Sequence, residues 1–376
     1  MKALLLPSPA QREMEGAFVR RLKGLVLAGG KGSRLRPLTA TGAKQLVPVA
    51  NKPVLFYALE QLVEAGIDEI GIVTGDTAAQ VEAAVGDGSR FGASVTYLPQ
   101  TAPLGLAHAI VTAREWLGES AFCMFLGDNF LMGGIADHTR RFAEADCAGQ
   151  ILLKRVADPA AFGVAVLDAE GRVQRLVEKP REPLSDLAVI GVYFFGPEVH
   201  AVTPHLQPSA RGELEITDAI QGLIDAGHEV CSSLIADEWI DTGKKDDMLE
   251  ANRIVLATLQ RRVEGDVDPD STLVGAVVVE AGARIRGSTV RGPAIIGAGT
   301  TVVDSCVGPF TAIGADCDLS ACEIEDSIVL DRSTIRNVSQ RIADSLIGRE
   351  VVLERSLLKP EAIRLMLGDH SIVGVV

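Results

Sequence analysis

Between Gly24 and Leu59 the chain has no Asp or Glu, yet it carries Lys31, Arg34, Arg36, Lys44 and Lys52. The whole protein has 36 Lys+Arg against 50 Asp+Glu, a formal net charge of −14. An acidic chain with such a stretch is built to meet a polyanion locally; chance clustering of surface lysines is the plainer alternative. Within the stretch, Leu27-Ala28-Gly29-Gly30-Lys31-Gly32-Ser33-Arg34-Leu35-Arg36-Pro37 follows an apolar run. Glycines directly after a buried strand let backbone N–H groups approach an anion closely. The loop is not a Walker A motif, because Gly32 follows Lys31. It is not a dinucleotide fingerprint either, because Leu35 stands where a third Gly would be. Three glycines alone also suit an ordinary turn. With Arg34 and Lys44 beyond, the pattern suggests a triphosphate cradle. No Ser/His/Asp or Cys/His set suited to covalent catalysis accompanies it.

The elements that must hold this loop follow from periodicity. Gly24–Ala28 is a continuous apolar run of buried parallel-strand type, and Glu69–Thr74, Ser94–Leu98 and Phe122–Leu126 continue the series. Helices are expected at Pro53–Ala65, Thr77–Val85 and Gly105–Leu117, with Gly66 just past the end of the first. This alternation means βαβ units and a mostly parallel sheet, which binds ligands outside the carboxyl ends of its strands. Gly29-Gly30 and Gly127-Asp128 both fall at such ends. Strands dominate Gln150–Tyr193, with turns at Asp168–Gly171 and Pro180–Pro183; helices are expected at Glu215–Asp225 and Lys244–Gln260.

From Asp266 the pattern changes. Apolar residues recur every six positions: Leu273, Val279 and Ile285; Ile296 and Val302; Val307, Ile313 and Leu319. Hexapeptide periodicity is the signature of a left-handed parallel β-helix, here about five coils over 266–355. A helix at Glu361–Leu367 is expected to cap it.

Composition excludes several classes. Hydrophobic content of 47% and charged content of 23% describe a folded globular chain, and 376 residues suggest two domains. The acidic balance argues against sequence-independent nucleic-acid binding. The longest run free of polar residues, Leu187–Gly196, is too short to span a bilayer, which needs about 20 residues. Six cysteines form no CxxC pair, so a zinc site is not expected, and a reducing cytoplasm is inferred. Cys123 and Cys147 read as core residues, His200 and His205 as surface ones. Residues 1–22 read as a poorly ordered leader.

The motifs carry a resemblance. The glycine loop, Lys44-Gln45-Leu46-Val47-Pro48-Val49, Lys52-Pro53, Gln100-x-x-Pro103-x-Gly105-Leu106-Ala107 and Leu126-Gly127-Asp128-Asn129 resemble sugar-1-phosphate nucleotidylyltransferases. Phe162-Gly163-Val164, Glu178-Lys179-Pro180, Ile190-Gly191-Val192-Tyr193, Arg211–Asp218 and Trp239–Gly243 follow in the family's order. Within that superfamily the set is similar to glucose-1-phosphate thymidylyltransferases, long form. The resemblance implies an α/β fold. Residues 23–260 would form a Rossmann-like nucleotidyltransferase domain with a mostly parallel sheet. Residues 261–376 would form a left-handed β-helix domain.

It also implies roles. Arg34 and Lys44 would contact the triphosphate and the leaving pyrophosphate, with Leu27, Gly29, Gly30, Gly32, Ser33 and Pro103 around the nucleotide. Gln100 would read the thymine edge and Gly105 would leave room for the ring. Asp128 and Asp241 would hold Mg2+. Lys179 would bind the sugar phosphate, assisted by Arg211. Glu178 would accept from sugar hydroxyls, helped by the backbone at Gly163 and Gly191. The implied partners are dTTP and glucose 1-phosphate, in a homo-oligomer. Phe162 stands where the short form tends to have Tyr, and His108 where it has Gln; His108 reads as a long-form variation rather than a base. The alternatives are a UTP-using enzyme, a silent nucleotide-sugar-binding regulator, and an acyltransferase site on the β-helix. That helix reads as an oligomerisation or regulatory platform.

Overall fold

Strand β1 (Lys23–Leu27) is flanked on both sides by parallel neighbours, which explains its continuous apolar run. The computed structural model describes residues 20–30, 32–40, 42–182, 184–355 and 370–374. Residues 1–19 of the expected leader, Lys31, Pro183 and the expected helix Glu361–Leu367 lie outside them.

The chain divides into two compact units. The first comprises the described residues up to Gly29, Ala58–Gly127 and Leu131–Trp239. Besides β1 it contains β2 (Glu69–Thr74), β3 (Ser94–Pro99), β4 (Phe122–Leu126), β5 (Gly149–Arg155), β6 (Gly163–Leu167), β7 (Val173–Glu178), β8 (Leu187–Phe195) and β9 (Val230–Leu234). They form one nine-stranded sheet in the order β7-β6-β8-β4-β1-β2-β3, with β5 also paired to β8 and β9 to β5. The β4-β1-β2-β3 half is parallel, as the alternating pattern requires. Around β8 the sheet is antiparallel, against β4, β5 and β6. All nine residues of β8 are buried, so this polar-free run is a sheet centre.

Helices α1 (Val54–Glu64), α2 (Ala78–Val85), α3 (Leu106–Leu117), α4 (Ala136–Glu144) and α5 (Ile216–Asp225) accompany the sheet. Helix α3 stops at Gly118, whose positive φ of 58° lets its N–H return to Arg114 O at 2.9 Å. Ala109, Ile110, Ala113 and Leu117 on α3 and Ile216, Ile220 and Leu223 on α5 share one core with Phe122, Met124 and Phe195. Burying one such Phe is worth about 1.5–3 kcal/mol. His200 is a correction to the sequence reading: it is buried and stacks on Phe122 at 6.2 Å, whereas His205 is exposed.

The second unit comprises Gly30–Tyr57, Asp128–Phe130 and the described residues from Ile240 onward. Helix α6 (Lys245–Thr258) leads into three parallel sheets of six, six and four strands, the expected β-helix. Val278 pairs with Ile295 and Val290 with Val307, each one coil onward. The hexad residues Val279, Ile285, Ile296, Val302, Val307, Ile313 and Leu319 fill its interior.

The β-helix also gives this unit a second core. Ile328 and Leu330 pack with Leu35, Val47, Val49, Val54 and Phe130, and with Met248 and Leu249 of α6. At its edge the fully buried Asn252 accepts from Ala50 N at 2.9 Å and donates to Phe310 O at 3.0 Å. Asn51 Nδ2 donates to Ile313 O at 2.7 Å. Ala50 and Asn51 have φ of 48° and 62°, the tight turn of a short hairpin formed by Pro48–Val49 and Lys52–Pro53. Among the described residues no helix is long and apolar enough to cross a membrane.

Candidate active site

In the second unit the glycine loop turns sharply. Gly32 has φ 60°, and a Cβ there would lie 2.8 Å from Lys44 Cβ, so only glycine fits. Thr39 Oγ1 donates to Gly32 O at 2.5 Å, and a Cβ on Gly30 would lie 3.3 Å from Gln45 Nε2. Ser33, Arg34 and Leu35 form a single 3-10 turn that buries Leu35 and leaves Ser33 and Arg34 exposed.

Lys44, on the 3-10 turn Lys44–Leu46, is almost completely buried, with 6% of its side chain accessible. Its ammonium is bonded directly to Asp128 Oδ2 and lies 3.6 Å from Asp241 Oδ1. Asp128 and Asp241, far apart in sequence, are locked together through the intervening backbone. Thr242 donates to Asp128 O from its N–H at 3.1 Å and from Oγ1 at 2.7 Å. Asn129 Nδ2 donates to Asp128 Oδ1 at 3.0 Å. Arg34 reaches Asp241 Oδ2 at only 3.6 Å and remains 57% exposed. A Cβ on Gly243 would lie 2.6 Å from Arg34 Nη2, so the bare glycine face is what the guanidinium covers. Two carboxylates thus converge on one cationic point, with a more exposed second cation beside them. Of the other cations in the acid-free segment, Arg36 is exposed and Lys52 lies 4.0 Å over the Tyr57 ring.

The first unit holds a separate cluster. Glu178 ends β7 opposite Gly163 of β6. A Cβ on Gly163 would approach Thr217 Cγ2 at 2.8 Å and Glu178 Oε2 at 3.2 Å. Lys179 has φ 40°, an uncommon left-handed backbone for a lysine, held by its N–H bond to Phe162 O at 3.0 Å. Its Nζ stands 3.6 Å from Glu178 Oε1 and is 45% exposed. Arg211 is held far more tightly: Nη2 lies 2.7 Å from Glu215 Oε2, 3.2 Å from Glu178 Oε1 and 3.4 Å from Glu213 Oε2. Burial raises the Glu178 carboxyl above its ordinary pKa, against the opposing pull of Lys179. Gly191 lies in β8 where its ladder with β5 is interrupted between Val189 and Tyr193. Glu215 and Thr217 lie in the Arg211–Asp218 motif, but sequence reasoning gave them no role. A carboxylate placed just before the apolar start of α5 was the available signal.

The residues expected around the base also lie in the first unit. Gln100 follows β3 and is fixed by its N–H to Thr74 O at 2.8 Å. A Cβ on Gly29 would stand 3.6 Å from Gln100 Oε1 and 3.4 Å from Gly75 N. Leu27 ends β1 and accepts from Gly127 N at 2.9 Å; Pro103 is exposed in the turn before Gly105. Gly105 has φ 107°, and a Cβ there would collide with the Leu214 carbonyl oxygen. The backbone of Leu214 by itself therefore requires a glycine at this position.

The chain also resembles known proteins along most of its length. The profile of the Nucleotidyl transferase family matches residues 23–258. The chain is 54% identical over 355 residues to a glucose-1-phosphate thymidylyltransferase of Streptomyces antibioticus, covering 94% of this chain and 99% of that one. A glucose-1-phosphate thymidylyltransferase of Streptomyces griseus is 55% identical over 350 residues, 93% of this chain and 98% of that one. A solved Bacillus anthracis structure, provisionally assigned as a glucose-1-phosphate thymidylyltransferase and holding a sucrose, superposes with a TM-score of 0.59. It is 35% identical and covers 62% of this chain and 94% of that one. With a family profile over most of its length and relatives matched nearly end to end, this chain belongs to the nucleotidyl transferase family.

Proposed function

We propose that the protein transfers a thymidylyl group from dTTP to α-D-glucose 1-phosphate, giving dTDP-glucose and pyrophosphate. The observation that carries this reading is the 54% identity, over 94% of the chain, to a glucose-1-phosphate thymidylyltransferase. In the reaction a phosphate oxygen of the sugar attacks the α-phosphorus in line. The new P–O bond forms as the bond to the β-phosphate oxygen breaks, and its electron pair leaves with pyrophosphate. The attacking oxygen is already ionised, so no protein base is required, and catalysis is positioning plus charge neutralisation.

The roles follow from this chemistry. Arg34, with one weak ion pair, is free to turn its planar fork to the β- and γ-phosphates. Lys44, fixed by two carboxylates, supplies a stationary positive point beside the triphosphate. Leu27, Gly29, Gly30, Gly32 and Ser33 contact the nucleotide through backbone groups, and Pro103 borders it. Gln100 reads the base, and Gly105 seats its helix. Lys179 binds the sugar phosphate. Arg211, already shared among three carboxylates, assists through Glu178, which accepts from sugar hydroxyls beside Gly163 and Gly191.

Asp128 and Asp241 are suited to Mg2+. Both are hard oxygen donors, and both already point at one cation, the Lys44 ammonium. Among the described residues no group of three or more His, Cys, Asp or Glu could hold a metal, so phosphate oxygens and water would complete the shell. Bound there, Mg2+ would neutralise phosphate charge. We further place residues 23–260 as the catalytic domain and 261–376 as the β-helix domain of a cytoplasmic homo-oligomer; six free cysteines suit a reducing compartment. Pyrophosphate release across a matrix of dTTP, UTP, dCTP and several sugar 1-phosphates tests the proposal. The highest kcat/KM is expected for dTTP with glucose 1-phosphate; a strong preference for UTP or another sugar would overturn it.

A further inference from the structure

Gln100 is not alone. Its Nε2 lies 2.8 Å from Nδ1 of His108, the third residue of α3, while its Oε1 faces the open side of Gly29. A carboxamide has two chemically different ends, and either can be presented after a half-turn. Thymine offers a ring N3–H donor beside a carbonyl acceptor. It is met by a carboxamide that presents its oxygen to N3–H and one amide hydrogen to the carbonyl. Cytosine reverses the pair, with an N3 acceptor beside an amino donor, and needs the carboxamide turned over. Whatever fixes the rotation of Gln100 therefore decides which base is read.

We infer that His108 is a positioning residue that sets the rotation of the Gln100 carboxamide and so selects a base carrying a ring N–H. The inference rests on the reading of Gln100 as the base-contacting residue. With its proton on Nε2, the imidazole presents an Nδ1 lone pair to Gln100. The second amide hydrogen satisfies that lone pair, leaving Oε1 and the first hydrogen for the base. In that tautomer, turning the amide over sets oxygen against a lone pair, and relief requires the ring proton to move to Nδ1. The backbone that carries the imidazole is itself held. Leu214 clamps the start of α3, accepting from Ala107 N at 3.1 Å and donating from its own N–H to Leu104 O at 2.7 Å. Thr112 Oγ1 donates to His108 O at 3.0 Å. The positive-φ Gly105 makes that clamp possible, since any Cβ would strike Leu214. Thymine and uracil share the recognised edge, so the device separates both from cytosine and is indifferent to the 5-methyl group.

The test compares kcat/KM for dTTP and dCTP, at saturating glucose 1-phosphate, in full-length wild type, His108→Leu, His108→Gln and Gln100→Leu. His108→Leu is expected to lower the dTTP/dCTP ratio about tenfold, with the loss in KM for dTTP and kcat little changed. His108→Gln retains an acceptor oxygen and is expected to recover most of the ratio. An unchanged ratio in His108→Leu, with a reduced one in Gln100→Leu, overturns the role of His108 and leaves the base reading intact. Unchanged ratios in both variants overturn the base reading and the inference with it. Equal losses for both nucleotides, with a lowered melting temperature in His108→Leu, mark a merely structural histidine and also overturn it.

Discussion

The two charged clusters use the same pair of side chains with the roles exchanged. In the second unit the lysine is locked and the arginine is loose: Lys44 is buried against Asp128 and Asp241, while Arg34 has one ion pair at 3.6 Å. In the first unit the arginine is locked and the lysine is loose. Arg211 is shared among Glu178, Glu213 and Glu215, while Lys179, among the described residues, pairs with Glu178 alone, at 3.6 Å. Each cluster thus pairs one anchored cation with one that can exchange a weak protein contact for a phosphate. An anchored cation sets the local potential without a further ordering cost, whereas a loose one loses side-chain entropy when it engages. An acidic protein can handle two anions with such a division, because its carboxylates hold the anchors in place.

If that division is right, the largest effect follows from removing a buried anchor. Lys44→Met leaves Asp128 and Asp241 facing each other without their common cation. We expect turnover to fall at least about a hundredfold, with a lower melting temperature. Activity within a few-fold of wild type would dissolve the distinction between anchored and loose cations.

Removing a loose cation is expected to act on one substrate only. Lys179→Ala should raise KM for glucose 1-phosphate about tenfold, with the KM for dTTP unchanged. Its melting temperature should not fall, because a strained φ of 40° gains nothing from the lysine side chain. An equal rise in both KM values would show that Lys179 belongs to no particular substrate.

The smallest effect concerns Glu178. Burial raises its folded pKa above the ordinary value of 4.5, so over the window from 4.5 to that raised value the folded state holds more proton than the unfolded one. Stability then falls as pH rises through the window. Glu178→Gln should remove that slope, measured as the urea midpoint against pH. Identical slopes in the two proteins would mean that the neighbouring cations cancel the burial.

Much of this architecture is legible in the residues themselves. Glu69–Thr74 and Phe122–Leu126 begin and end as expected because each is a short run with an apolar, buried interior. The hexads appear because the β-helix interior takes one apolar side chain at each turn of its narrow cross-section. What escapes is set by contacts between distant segments. Nothing local marks β8 as the antiparallel centre of the sheet, since an apolar run is equally consistent with any direction of pairing. Nothing local places Lys44 in the interior, because its burial depends on two carboxylates that arrive much later in the chain. The Gln100–His108 pair was within reach, being one strand end and the first turn of the following helix, but its geometry requires the Leu214 clamp.

The core that seats the glycine loop has a consequence for the order of synthesis. Leu35, Val47 and Val49 leave the ribosome early, yet they pack with Ile328 and Leu330, near the end of the β-helix. The glycine-loop segment cannot finish folding when it is made; it must wait for almost the whole protein. Contacts of such long sequence separation are slow to form. In stalled nascent chains that end before Ile328, a protease is expected to cut within Gly30–Tyr57, and early protection there would contradict this order. The glycine loop would then reach its folded form only once the β-helix has been built.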